Sequence, residues 1–167
     1  MRKLALVIFA LGLFAAAAHA QDPDLRPLLS VRERFRARTS RQLLTHRDFV
    51  ISQGGRTVGR TSTSLLGSVG WSSQPPIQAV APAAATAGLK GALAEARVGT
   101  LPALCQYFNG LPVVATVELT WYGFDRRFRE IRIEVNDVPG AEEACPPEVG
   151  PLLTAIDHFL GQIPGAV

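Results

Sequence analysis

Two neighbouring stretches of alternating polarity constrain this fold more than any other feature. Hydrophobic side chains occupy every second position over residues 113–122, and the pattern returns over residues 127–135. A period of two is typical of a half-buried β-strand. An antiparallel hairpin that turns at residues 124–126 would oppose residues whose numbers add to 250, such as Val117 and Ile133. A slip by one residue would set hydrophobic against polar faces, so the pattern predicts this register.

The first twenty residues have the three parts of a secretory signal peptide. A basic start at residues 2–3 precedes an uncharged run over residues 4–18, and residues 18–20 read Ala-His-Ala, a small-x-small cleavage motif. No later run approaches the roughly 20 apolar residues that a membrane-spanning helix needs. We therefore expect cleavage after Ala20 and a periplasmic or secreted protein. An uncleaved N-terminal anchor is the alternative.

The two cysteines fit both the export and the hairpin register. Cys105 and Cys145 lie outside the two proposed strands on either side, and their numbers also add to 250. Two cysteines in a small exported domain usually pair, because the compartment is oxidising. We therefore predict a Cys105–Cys145 disulfide that closes the base of a hairpin at about residues 113–135.

Helical patterns flank this hairpin on both sides. A helix is expected over about residues 83–98, with Gly99 as its stop, and a second over about residues 151–162, where apolar residues recur at helical spacing. The order helix, strand, strand, helix predicts an α+β core over residues 83–167. In this arrangement the helices cover one face of a small antiparallel sheet.

The region before residue 83 is less clearly patterned. Residues 21–70 form an Arg-rich segment that we assign to the same domain, and residues 71–82 a Pro- and Ser-containing loop or linker. Short strands at residues 48–52 and 56–64 would extend the sheet. Residues 30–40 fit a strand or a helix, and their Arg, Glu and Ala content favours the helix.

The charge distribution excludes some partners and suggests others. Without residues 1–20 the chain keeps 15 basic and 14 acidic side chains, a balance that argues against a nucleic-acid partner. Lys90 is the sole lysine among them, which indicates a GC-rich, bacterial genome. Nine arginines fall within residues 26–60. They form either a solvated face or a contact with an anionic membrane surface. The candidate anion-binding residues alternate along the chain: Arg32, Arg34, Arg36 and Arg38.

The tip of the hairpin concentrates aromatic and arginine side chains. That composition is typical of protein-binding hot spots, although the rings could simply seal one end of the core. The predicted register sets Trp121 opposite Arg129, which would suit a cation–π contact. The candidate binding residues of the tip are Trp121, Tyr122, Phe124, Arg126, Arg127, Phe128 and Arg129.

Catalytic and metal-binding signatures are incomplete. After residue 20 the chain has two histidines, His46 and His158, without the clustered carboxylates or cysteines of a metal site. We expect no metal and no cofactor. A serine hydrolase needs a serine, a histidine and a carboxylate that converge, and His46 near Asp48 is the better candidate base.

These observations favour an exported, non-enzymatic binding domain that contacts a protein or a cell-envelope component. The alternatives are a small serine-type hydrolase that uses His46 and an exported inhibitor of a protease or lysozyme. The inhibitor differs from the leading hypothesis only in its partner.

Overall fold

Among the residues that the structure describes, a mixed sheet of eight strands and two helices make up the fold. The computed structural model describes residues 23–37, 43–65, 72–108, 113–123, 128–136 and 144–166. Short 3₁₀ turns lie at Pro23–Leu25 and Val98–Thr100. The strands and helices are β1 (Pro27–Ala37), β2 (Leu43–Ser52), β3 (Arg56–Leu65), β4 (Ser72–Ser73), β5 (Ile77–Val80), α1 (Ala83–Glu95), β6 (Leu104–Phe108), β7 (Val113–Tyr122), β8 (Phe128–Asn136) and α2 (Val149–Gly161).

The strand order places both halves of the chain in one sheet. The order is β4-β3-β2-β1-β7-β8-β6, and β5 also pairs with β3. Strands β6 and β8 are parallel, whereas the other pairs are antiparallel. The sheet is therefore larger than the small antiparallel one expected, and mixed. The strands β4 and β5 form within the stretch expected to be a loop.

The register predicted for the β7–β8 hairpin is confirmed. Val117 lies opposite Ile133 and Trp121 opposite Arg129, and the numbers of every paired couple add to 250. The hairpin of β2 and β3 is also present, and its strands are longer than expected. Regular alternation determines which residues share a face. A single cross-strand pair then determines all the others in the ladder.

The helix favoured for residues 30–40 is wrong, because β1 is a strand as far as Ala37. It lies between β2 and β7 and pairs with both. Leu29 and Val31 on its inner side have no solvent exposure. Pairing along two edges and burial of one side outweigh the helix propensity of the segment, which is a weak preference per residue.

The two helices lie over one face of the sheet, at the positions expected from the sequence. Leu89 of α1 and Ile156 of α2 join inward residues of the strands, such as Val31 and Ile133, in one hydrophobic core. No helix in the described ranges has the length and hydrophobicity to cross a membrane.

The Cys105–Cys145 disulfide is formed, across a sequence separation of 40. Cys105 lies on β6 opposite Ile133 of β8, and the Cys145 amide donates to the Gln106 carbonyl at 2.8 Å. The bond thus ties the edge strand to the segment that leads into α2. Closure of the hairpin base is not confirmed. A disulfide is compatible with an oxidising, exported environment.

Candidate functional site

One face of the sheet carries the exposed apolar side chains. We call it the open face, because the helices cover the opposite face. Strand register assigns to the open face six of the seven exposed large hydrophobic residues among the described ranges, Leu25 being the exception. They are Val50, Val58, Val80, Leu104, Phe108 and Phe128.

These apolar residues flank the sheet on both sides of a charged centre. Val50 and Val58 are cross-strand partners on β2 and β3. On the other side, Phe128 lies opposite Tyr122 and is 64% exposed. Such an arrangement differs from isolated apolar residues scattered over a surface, which need no explanation.

Ion pairs link the strands at the centre of the open face. The Arg32 Nε donates to Asp48 Oδ1 at 2.7 Å, and its Nη1 lies 3.5 Å from Glu118 Oε2. On β8, Arg132 Nη2 lies 3.3 Å from Glu134 Oε1. Exposed pairs of this kind contribute little to stability, about 0–1 kcal/mol each. Their effect is to hold charged groups of both signs at fixed positions on the surface.

Two depressions meet at Arg32. One, of about 460 Å³, extends from Ser30 and Arg32 towards Arg132. The other, of about 630 Å³, extends from the same two residues towards Val58 and Arg60. The open face is therefore indented along its centre, with apolar side chains towards its margins.

His46 lies in the larger depression with the groups that a hydrolase would need. It is the cross-strand partner of Ser62, and Asp48 and Ser73 line the same depression. The hydroxyls of Ser62 and Ser73 are 3.0 Å apart. Burial, followed by the charge of Arg34, lowers the pKa of His46, and Asp48 opposes this shift. A lowered pKa favours the neutral imidazole that general-base catalysis requires.

The residues expected at the hairpin tip divide between the two faces. A Cβ placed at Gly99 would lie 3.1 Å from Cζ3 of Trp121, so the ring packs closely over that glycine. Arg129 Nη2 donates to the Leu101 carbonyl at 2.6 Å. Tyr122 lies on the open face with Phe128. Phe124, Arg126 and Arg127 are outside the described residues.

The arginine stripe of β1 is partly compensated. Arg32 has two carboxylate partners, and Arg34 lies opposite His46. The side chain of Arg36 and the whole of Arg38 lie outside what the structure describes. Compensation of Arg32 makes this stripe less basic than its sequence suggests.

Sequence reasoning missed Val50 and Val58 as surface residues. The available signal was the run Phe49-Val50-Ile51, because three consecutive apolar residues in a strand must place one on the opposite face. Phe49 and Ile51 are buried, and Val50 is 47% exposed.

The fold and surface define a two-layer α+β protein with one sheet face left open. A scan against protein-family models, a search of curated proteins and a search of solved structures each found no match to this chain. Within the described ranges, no group of three or more His, Cys, Asp or Glu side chains could hold a metal ion.

Proposed function

We propose that this chain is an exported binding protein that contacts a protein of the cell envelope through the open face of its sheet. The observation that carries the proposal is the concentration of exposed apolar residues on that face. Together with aromatic and arginine side chains, they match the composition of protein interfaces. The signal sequence and the disulfide support export.

The charge pattern favours a protein over an anionic surface as the partner. Asp48 and Glu118 compensate Arg32, and Glu134 lies beside Arg132. A membrane or a polyanionic glycan would meet these carboxylates and be repelled. A protein surface can present complementary charges of both signs. A protease or lysozyme is one form that such a partner could take.

The hairpin tip extends this surface. Tyr122 and Phe128 lie on the open face at the end of the β7–β8 ladder, where residues 124–127 connect the two strands. Phe124, Arg126 and Arg127 therefore remain candidate contacts of the same partner. Replacement of Phe124 and Arg126 should weaken binding, and unchanged binding would limit the interface to the strands.

Site-specific photo-crosslinking in intact cells tests the proposal. A photoreactive amino acid at Val58 should yield one discrete adduct with an envelope protein. The same group at Lys90, an exposed position on α1, is the matched control. The adduct should disappear when Arg32→Glu is added. Absence of an adduct at Val58, an equal adduct at Lys90, or an adduct of twice the chain mass would overturn the proposal.

A second candidate function is ester or amide hydrolysis with Ser62 as the nucleophile. The placement of His46 opposite Ser62, in one depression with Asp48, favours it. A fluorophosphonate probe should then label the chain, and Ser62→Ala or His46→Gln should abolish labelling. Ser72→Ala, an exposed serine on β4, is the control. Labelling that is absent or independent of Ser62 would exclude this function.

A further inference from the structure

A second concave site lies on the helix-covered side, away from the open face. It is a cleft of about 460 Å³ at the junction of β1, β2 and α2. Its described lining is Phe35, Thr45, Arg47, Asp157 and Gly161. The proposed function does not use this cleft.

Arg47 has unused hydrogen-bonding capacity beside the cleft. Its Nη1 lies 3.4 Å from Glu33 Oε2 and 3.9 Å from Asp157 Oδ1. Charge-assisted bonds are normally about 2.7–2.9 Å long. The Arg47 Nε is buried and has no hydrogen-bond partner within the described part of the chain. The Nε is inaccessible to a ligand, but the side chain is 18% exposed, and the long Nη1 contacts leave its terminal nitrogens able to donate to a closer acceptor in the cleft.

Glu33 does not fully neutralise Arg47. Its side chain is 4% exposed, and burial, followed by the charge of Asp157, raises its pKa to about 7, against the opposing effect of Arg47. Near neutral pH a large fraction of Glu33 is therefore uncharged. The cleft then presents one cation, Arg47, and one anion, Asp157, side by side.

We infer that this cleft binds the zwitterionic head of a free amino acid with an apolar side chain. The ligand carboxylate accepts hydrogen bonds from Arg47, and its ammonium group donates to Asp157. A ligand of a single sign would be attracted by one of these groups and repelled by the other. Phe35, whose ring already lies 5.1 Å from the Arg47 guanidinium carbon, provides an apolar wall for the side chain.

Calorimetric titration of the mature chain with L-phenylalanine and L-leucine tests the inference. Their methyl esters lack the carboxylate, and their N-acetyl derivatives lack the ammonium group. We expect at least one free amino acid to bind at millimolar concentration or below, and both of its derivatives to bind at least about tenfold more weakly. Absence of binding by both amino acids, or a derivative that binds equally well, would overturn it.

A pair of glycine variants tests the location of the site. A Cβ at Gly161 meets no atom within 4 Å, so Gly161→Leu would extend into open space at the cleft. Gly88 on α1 is equally unobstructed, and Gly88→Leu is the control. We expect amino-acid binding to be lost in the first variant and kept in the second, with both folded by circular dichroism. Normal binding by Gly161→Leu would exclude the cleft.

Removal of one charge tests the zwitterion directly. Asp157 is 63% exposed, so Asp157→Asn should fold normally. It should weaken binding of the free amino acid at least about tenfold. The preference for the free amino acid over its N-acetyl derivative should fall strongly, because that derivative lacks the ammonium group. The preference over the methyl ester should fall less. Unchanged affinity in Asp157→Asn would exclude the proposed ammonium contact.

Discussion

Glu33 is the one charged residue that the core buries, within the part of the chain that the structure describes. It lies between Val31 and Phe35 on the inner side of β1, at a position where a hydrophobic residue is expected. A buried carboxylate is unfavourable unless it is paired or protonated. Arg47, its cross-strand partner on β2, pairs with it only at 3.4 Å, and burial raises the pKa of Glu33 to about 7, which favours protonation of the carboxyl group.

The stability of the protein should fall as the pH rises through the titration of Glu33. Its pKa rises from an ordinary 4.5 to about 7, so the folded state binds this proton more tightly than the unfolded chain does. The stabilising contribution is complete below the unfolded pKa and is lost as the pH passes the folded value. A shift of this size corresponds to about 3 kcal/mol. Urea unfolding at about pH 5 and about pH 8, in wild type and Glu33→Gln, measures it.

The Glu33→Gln variant should show a much smaller loss of stability between the two pH values. Burial also raises the pKa of Asp157, which leaves a residual dependence of the same sign in the variant. Glu95→Gln, at an exposed position on α1, is the control and should keep the wild-type dependence. Equal pH dependence in wild type and Glu33→Gln would contradict the role given to this carboxyl group.

Gly55 should be the costliest glycine to replace in the β2–β3 turn. Its φ is +80°, and a Cβ there would collide with the Thr86 hydroxyl. We expect Gly55→Ala to lower the free energy of unfolding by about 1–3 kcal/mol, because strain and collision act together. Gly91→Ala in α1, where a Cβ has open space, should instead stabilise by about 0.5–1 kcal/mol. Chemical denaturation measures the free energy of unfolding of both variants. A Gly55→Ala variant more stable than Gly91→Ala would refute the role given to Gly55.

At the level of elements, the sequence predicted contacts between neighbours in the chain better than contacts between distant segments. The β7–β8 register followed from alternation alone, since parity and a short turn leave few arrangements. Strand β1 shows the same alternation, yet helix propensity misled the interpretation. Its partner β2 follows it directly in the chain, whereas β7 lies far away in sequence, and the pairing with both decides between strand and helix.

Long-range placement also explains why parts of both sites could not be predicted. Asp157 on α2 reaches Arg47 on β2 only because the helix packs across the sheet. The parallel pairing of β6 with β8 likewise has no local signature. In contrast, Tyr122 and Phe128 were predicted as neighbours, because both belong to one hairpin.

Loss of the disulfide should destabilise the fold without removing the hairpin. The Cys105–Cys145 bond closes a loop with a sequence separation of 40. Loop-closure entropy gives about 4 kcal/mol for a loop of this length. Unfolding in guanidinium chloride should show that the Cys105→Ala/Cys145→Ala double variant has a lower free energy of unfolding than the oxidised wild type, by an amount of this order. A loss below about 1 kcal/mol would mean that the unfolded chain is not constrained by the bond.

At the scale of the whole molecule, the two faces of the sheet differ in character. Its inner face is sealed by α1 and α2 around a continuous hydrophobic core. Its open face combines apolar margins with ion pairs at the centre. Removal of apolar surface from water is the dominant favourable contribution to folding and to association. The inner face therefore supports stability, whereas the described apolar side chains of the open face stay exposed to solvent.

Lysine substitutions on the two faces should separate these roles. Val31 has no solvent exposure, so Val31→Lys buries a charge without a partner and should unfold the chain or cost several kcal/mol, on the order of 4. Val58 is 44% exposed on the open face, and Val58→Lys should change the free energy of unfolding by no more than about 0.5 kcal/mol. Thermal and urea unfolding measure both effects.

If the open face binds a protein, Val58→Lys should also reduce capture of the envelope protein identified by crosslinking, although the variant is fully folded. A folded Val58→Lys variant that binds as well as wild type would leave the apolar margin of β2 and β3 without a role in recognition.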